Sequence, residues 1–267
     1  MNSKGNYYSL TLTIAVIILT NHRIKCNIII SNVKFWSFYS MNKKKRSAFT
    51  LAEVLITLGI IGVVAAITIP SLITYTQKKE TVTKLQRAIS VINQAAKLSF
   101  DDNGDPDDAF GMGSEEYFNV YWRPYIKVLQ YCNTYQDCHY NSVIPFRTIS
   151  GSTSGTISVV HPGTRVTFHT MDGFLYIIFT GTADGNGSYK ASKLIFVDIN
   201  GSKKPNVYGK DVFILDRLDD GKGVQPFCSG LSDSVINKSC SKISDGACCA
   251  EKILRAGWKI DSTYPWK

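Results

Sequence analysis

The sequence predicts an α+β protein: a long N-terminal helix whose first half suits a membrane, packed at its far end on an antiparallel sheet. Three observations predict it. Residues 49 to about 100 keep helical spacing with one interior proline, Pro70. Residues 157–215 hold five short runs rich in β-branched and aromatic residues, the composition of strands. Turn dipeptides separate those runs too closely for crossover helices, so neighbouring strands must run antiparallel.

In chain order, residues 1–40 differ from the rest. Leu10–Leu19 is mostly apolar but shorter than the ~20 residues that span a bilayer. It resembles the core of a signal sequence without a clean small-residue cleavage site after it. Met41 then opens Met-Asn-Lys-Lys-Lys-Arg-Ser-Ala, a complete basic leader in itself. The expectation is that translation starts at Met41 and that residues 1–40 are an over-extended frame or extended leader. Residues 41–48 then form the leader, 49–75 a transmembrane and assembly helix, and 76–267 a globular domain.

Between Val54 and Ile69 there is no charge, and only Thr57 and Thr68 are polar. Beyond it, Lys78, Lys79, Glu80, Lys84 and Arg87 interleave with Val82, Leu85, Ile89, Ile92 and Ala96, apolar positions three or four apart on one helix face. At 1.5 Å per residue the stretch would reach about 78 Å, too long for a globular core helix. Pro70 lacks an N–H and crowds the preceding turn, so a kink is expected there. Asp101–Asp108 is an acidic break. Ser114–Tyr131 reads as a helix capped by Ser114, with Glu115 and Glu116 in the first turn and Pro124 as a defect. The strand-like runs are Ile157–Val160, Arg165–Thr170, Phe174–Thr180, Leu194–Ile199 and Val212–Leu215, with turns at Asp172-Gly173, Asp184–Gly187 and Asn200-Gly201. A last helix over Ala247–Ala256 ends at Gly257.

The formal charge of +9 suggests an anionic partner until it is located. Eight of the 30 basic residues lie in residues 1–48 with no acid, leaving 22 basic against 21 acidic residues in 49–267. The globular part therefore has no basic excess to bind nucleic acid. Of seven cysteines, Cys132, Cys138, Cys228, Cys240, Cys248 and Cys249 form an even set in the later part. In an exported chain that favours disulfides. Proximity in sequence pairs Cys132 with Cys138. Cys248 and Cys249 cannot readily bond to each other, so each takes a separate partner, such as Cys228 and Cys240. No Cys-x-x-Cys pair occurs and His139 alone among the histidines adjoins a cysteine, which argues against a metal site.

The stretch Lys43-Lys-Lys-Arg-Ser-Ala-Phe-Thr-Leu-Ala-Glu53 has three physical parts. Its basic cluster stays cytoplasmic under the positive-inside rule. Ser47 and Ala48 are small, so a protease can reach the bond after them. Glu53 is a lone carboxylate just inside an apolar helix, where a charge costs roughly 2.5–3.5 kcal/mol at mid-bilayer and less near the helix N-terminus.

This stretch resembles the class III signal of type IV prepilins and type II secretion pseudopilins, through Phe49-Thr-Leu-x-Glu53, the apolar helix with Gly59 and Gly62, and Pro70. Ala48 stands where that family most often has glycine. The resemblance covers residues 41 to about 75 and implies a pilin-like fold. It implies cleavage between Ala48 and Phe49 by prepilin peptidase, N-methylation of Phe49, and pairing of Glu53 with the Phe49 amine of a neighbouring subunit. It further implies pilin or pseudopilin subunits, an inner-membrane platform protein and membrane lipid as partners. The chain would be a single-pass protein of the bacterial inner membrane with a periplasmic domain, entering a filament on assembly. An alternative on the same scaffold is a minor pilin acting as tip adhesin or DNA-uptake subunit.

Catalytic constellations are not found, nor is a cofactor motif. Gly151-Ser-Thr-Ser-Gly155 has threonine where a nucleophile elbow has serine and reads as a loop. His161 and His169 read as polar surface residues. Asp198-Ile-Asn-Gly201 with Asp211 faintly suggests a calcium loop but lacks further acidic ligands, so a turn is favoured; the segment Asp198–Asp211 is similar to one in uncharacterised pilin-like proteins. The aromatic runs Tyr117–Tyr140 and Trp258–Trp266 are expected to fill the core.

Overall fold

The structure is a computed structural model that describes residues 14–20, 23–29, 50–108, 112–153, 155–161, 163–183, 189–190, 192–218 and 220–266. Contacts divide the chain into residues 1–58 and residues 59–267. In the first unit β1 (Ile14–Thr20) and β2 (Arg23–Ile29) pair antiparallel, Ile14 opposite Ile29. The described part of the apolar run read as a signal core, from Ile14 onward, is thus strand here; its Ile-Ala-Val-Ile-Ile order is rich in β-branched residues, which favour extended backbone.

Helix α1 (Leu51–Asn103) starts in the first unit and continues in the second. It runs as one helix through Pro70. Its buried positions begin only at Thr81 and continue through Val82, Leu85, Ala88, Ile92, Ala95, Ala96 and Ser99, the stripe that the three-and-four spacing defines.

The second unit is built on a six-stranded antiparallel sheet. Helix α2 (Ser114–Tyr121) is followed by β3 (Val128–Tyr131), β4 (Arg165–Thr170) and β5 (Leu175–Phe179). A small hairpin of β6 (Thr182–Ala183) and β7 (Tyr189–Lys190) leads to β8 (Leu194–Asp198), β9 (Val212–Arg217) and β10 (Val224–Pro226). The sheet order is β10-β9-β8-β5-β4-β3, every neighbour antiparallel. Helices α3 (Asp233–Ser239) and α4 (Cys249–Arg255) close the chain.

Both faces of the sheet are covered, which is why its strands read as unbroken apolar runs rather than alternating ones. Tyr176, Ile178, Val197, Phe213 and Leu215 face the α1 stripe together with Tyr117, Phe118, Tyr121 and Trp122 of the α2 segment. Leu175, Ile177, Phe196, Val212 and Ile214 face the other way, under Tyr140, Phe146, Val159 and Tyr208 from the loops. Tyr176 donates its hydroxyl to the Ala88 carbonyl at 3.0 Å, fixing the sheet to α1.

The expected helix over 114–131 stops at Tyr121. Pro124 instead sits in a 3-10 turn (Arg123–Tyr125), after which β3 begins. Gly113, not Ser114, occupies the cap position. Ile157–Val160 is not a strand: Val159 is fully buried, but its backbone bonds to Val143 and its carbonyl accepts from the Thr167 hydroxyl. The Asp184–Gly187 turn lies outside the described residues.

Candidate functional site

The first functional feature is the start of α1. Thr50 precedes the first helical residue and Glu53 is the third within it. The amide and the hydroxyl of Thr50 both donate to Glu53 Oε2 at 2.9 Å, and the Glu53 amide donates back to Thr50 Oγ1 at 3.2 Å. This is a reciprocal capping box, which satisfies donors that a helix N-terminus otherwise leaves open. Sequence reasoning missed it, although Thr-x-x-Glu before an apolar run is its signature. Glu53 therefore has a hydrogen-bonding partner within its own chain. Residues 41–48, with Ala48, and Phe49 lie outside the described residues.

From Leu51 to Glu80 no residue of α1 is buried, while fourteen large apolar side chains between Leu51 and Tyr75 are exposed, Leu51 at 77% and Ile61 at 63%. A contiguous apolar surface of this kind marks a protein or membrane contact. Its threonine and serine hydroxyls are satisfied within the helix. The hydroxyls of Thr57, Thr68, Ser71, Thr74 and Thr76 donate to the carbonyls of Val54, Val64, Thr68, Pro70 and Leu72 at 2.8–3.0 Å. Hydrocarbon offers no partner for a free hydroxyl, so internal bonding is what a lipid-facing helix requires. Among the described residues α1 is the one helix long and apolar enough to cross a membrane. A side chain added at Gly59 or Gly62 would meet nothing within 4 Å, so the helix backbone there is open to close approach by another helix.

In the second unit the structure joins Cys132 to Cys138, Cys228 to Cys248 and Cys240 to Cys249. The adjacent Cys248 and Cys249 thus tie α4 to two separate points of the preceding chain. Among the described residues, the group that brings three His, Cys, Asp or Glu side chains close enough to hold an ion is Cys132, Cys138 and His169. Both sulfurs there are spent in a disulfide. His169 was expected at the surface; the structure buries it, Nε2 lying 3.4 Å from the Cys138 carbonyl, and burial holds its pKa below the usual imidazole range. His161 is exposed and contacts the Thr164 hydroxyl.

Asp198 and Asp211, read from sequence as turn residues, are both buried. Asp198 accepts from the Tyr140 hydroxyl at 2.7 Å and the Asn200 amide at 3.1 Å. Asp211 accepts from the Asn206 and Val207 amides at 2.8 and 2.7 Å and from the Asn200 side chain at 3.1 Å. The two carboxylates pin the 199–211 loop between β8 and β9. Desolvation pushes both pKa values up, Asp198 strongly, and for Asp198 the charge of Asp211 adds to it.

Two family matches divide the chain at Pro70. Residues 43–69 match the prokaryotic N-terminal methylation motif, and residues 71–267 match a family of unknown function (DUF6613). No curated protein and no solved structure matches the chain.

Proposed function

The chain belongs to the family of unknown function DUF6613, and from that premise we propose that it is a structural subunit of a type IV pilus or type II secretion pseudopilus. Its coarser character is plain: a prepilin methylation motif, the long apolar helix that follows and the α+β layout make it type IV pilin-like. The observation that carries the proposal is the exposed first half of α1. Fourteen large apolar side chains with internally bonded hydroxyls suit lipid before assembly and neighbouring helices after it.

In this reading residues 41–48 are the cytoplasmic leader and prepilin peptidase cuts between Ala48 and Phe49. The exposed Phe49 amine is then methylated. Residues 49–75 hold the subunit in the inner membrane as a single pass, and the domain from residue 76 onward is periplasmic. Glu53 pairs with the Phe49 amine of the next subunit, since two opposite charges in low dielectric relieve each other's desolvation. The capping box presents Glu53 for this, because Thr50 holds its carboxylate at the helix start. Pro70 is the point where α1 bends on packing. An inner-membrane platform protein receives the subunit.

The test uses Glu53→Ala and Glu53→Leu in the native host. Processing by the peptidase is expected to proceed, and entry of the subunit into filaments to fail. Normal filament content of either variant would reject the role of Glu53.

A further inference from the structure

The loop that follows β3 is held by more than its disulfide. Cys132 and Cys138, six residues apart, are bridged with their Cα atoms 5.3 Å apart. Hydrogen bonds that do not involve the sulfurs keep the same shape. The Asp137 carboxylate accepts from the Asn133 and Thr134 amides at 3.1 and 2.8 Å, and its carbonyl accepts from the Gln130 side chain at 3.1 Å. The Tyr140 amide donates to the Tyr135 carbonyl at 3.0 Å. With the bridge opened, both cysteines are still presented from this backbone. Asp137 is the one acid between Cys132 and Tyr140, and its carboxylate is engaged by the two amides.

Two histidines complete the group. A ring nitrogen of His169, on β4, and the two sulfurs all lie within 4.8 Å of one another, and the three residues are buried. The Cys138 carbonyl, 3.4 Å from His169 Nε2, orients the ring as an outer partner orients a metal-bound imidazole. His139 follows Cys138 directly, is exposed, and has left-handed backbone at φ 63°. Its ring centre is 5.9 Å from that of His169. Zn–N bonds of about 2.0–2.1 Å put two imidazoles on one zinc with ring centres about 5 Å apart. Zn–S bonds of about 2.3 Å put two thiolates about 3.8 Å apart. The histidines already stand near the first separation, and side-chain rotation from Cα atoms 5.3 Å apart reaches the second.

Thiolates and imidazoles are the donors of a tetrahedral zinc site. We propose that, when the Cys132–Cys138 bridge is reduced, Cys132, Cys138, His139 and His169 bind one zinc ion. A dithiol supplies the reduction. Its two electrons break the S–S bond, its two protons pass to Cys132 and Cys138, and its own sulfurs join. Zinc(II) then forms two Zn–S bonds as both thiol protons leave to solvent, with no change of oxidation state. Bridge and zinc exclude each other, so the loop is closed in either redox state and bound metal shields both thiols from oxidation. The site is local to the domain and does not depend on the filament reading.

The full chain in detergent, without oxygen, is reduced with a phosphine, which takes up oxygen from water and leaves no competing thiol. Zinc is titrated in and the bound equivalents are counted after desalting, with cobalt(II) as a spectroscopic probe of tetrahedral thiolate ligation. Reduced wild type is expected to bind one equivalent more than Cys132→Ser/Cys138→Ser, which keeps the four other thiols of the domain. The oxidised chain is expected to lack that equivalent. An outer-shell partner is worth about 10–100-fold in metal affinity, so His139→Gln and His169→Gln should each weaken the site at least about tenfold. Both variants are first compared with wild type in the oxidised state by near-ultraviolet circular dichroism. If His169→Gln fails to fold, His139→Gln, at an exposed position, carries the test. Equal zinc in wild type and the serine variant overturns the proposal, as does undiminished affinity in His139→Gln.

Discussion

Removing the Cys228–Cys248 bridge by the double substitution Cys228→Ala/Cys248→Ala should loosen the C-terminal part of the domain by an amount that loop length sets. The bridge closes a separation of 20 residues. Chain entropy assigns such a loop about 3.3 kcal/mol at 25 °C. The same reasoning gives Cys240–Cys249, with a separation of 9, about 2.6 kcal/mol, and Cys132–Cys138, with 6, about 2.2 kcal/mol. Because the second loop lies largely inside the first, the two should be less than additive. For a domain of this size each kcal/mol moves the melting temperature by about 2–4 °C, so the Cys228/Cys248 variant should melt roughly 10 °C lower. The assay is thermal unfolding of the full chain in detergent, followed by near-ultraviolet circular dichroism, with the two other cysteine-pair variants beside it. A loss below about 1 kcal/mol, or a larger loss from the Cys132/Cys138 pair, would refute the reasoning. Equal melting of wild type with and without reductant would show that the bridges do not form, and with them the oxidising side of the membrane would be lost as the domain's location.

Other predictions address the two halves of α1 and the buried acids. Leu85→Ala, at a fully buried position, should cost the domain about 2–5 kcal/mol, whereas Ile61→Ala should leave its melt unchanged and weaken retention in the membrane fraction; equal melting shifts would contradict the division of the helix. Asp198 has a folded pKa above its unfolded one, so the native state keeps a proton that the unfolded chain has released. Its contribution is therefore present below the unfolded pKa, about 3.9, and is lost as pH rises towards the folded value. Denaturant melts should show Asp198→Asn flattening the decline in stability between about pH 4 and about pH 7; a steeper decline would reverse the sign argued here.

The long helix was legible because two signals of different kind agree: the charge-free stretch Val54–Ile69 and the three-and-four spacing from Val82 to Ala96. The central strands were legible to within a residue or two, as their unbroken apolar runs and Gly-containing turns required. Strand β3 was not, because Val128–Tyr131 follows an acidic, helix-like start and only the fold reveals that Pro124 ends the helix rather than denting it. Strand β10 and helix α3 were missed since Val-Gln-Pro and Asp-Ser-Val-Ile-Asn-Lys-Ser lack any strong period. The burial of Asp198, Asp211 and His169 could not be read locally: each depends on partners, Tyr140, Asn206 and Cys138, that lie from 5 to 58 residues away. The partners of Cys248 and Cys249 were likewise fixed only by where α3 and α4 place the sulfurs.

The proposed subunit role requires that the apolar helix be released at Phe49 and held in lipid. Mass spectrometry of the mature chain extracted from membranes with detergent tests it most directly. The expected N-terminal peptide begins at a methylated Phe49 and contains Glu53. A mature terminus beyond Pro70, or recovery of the intact chain in the soluble fraction without detergent, would contradict it.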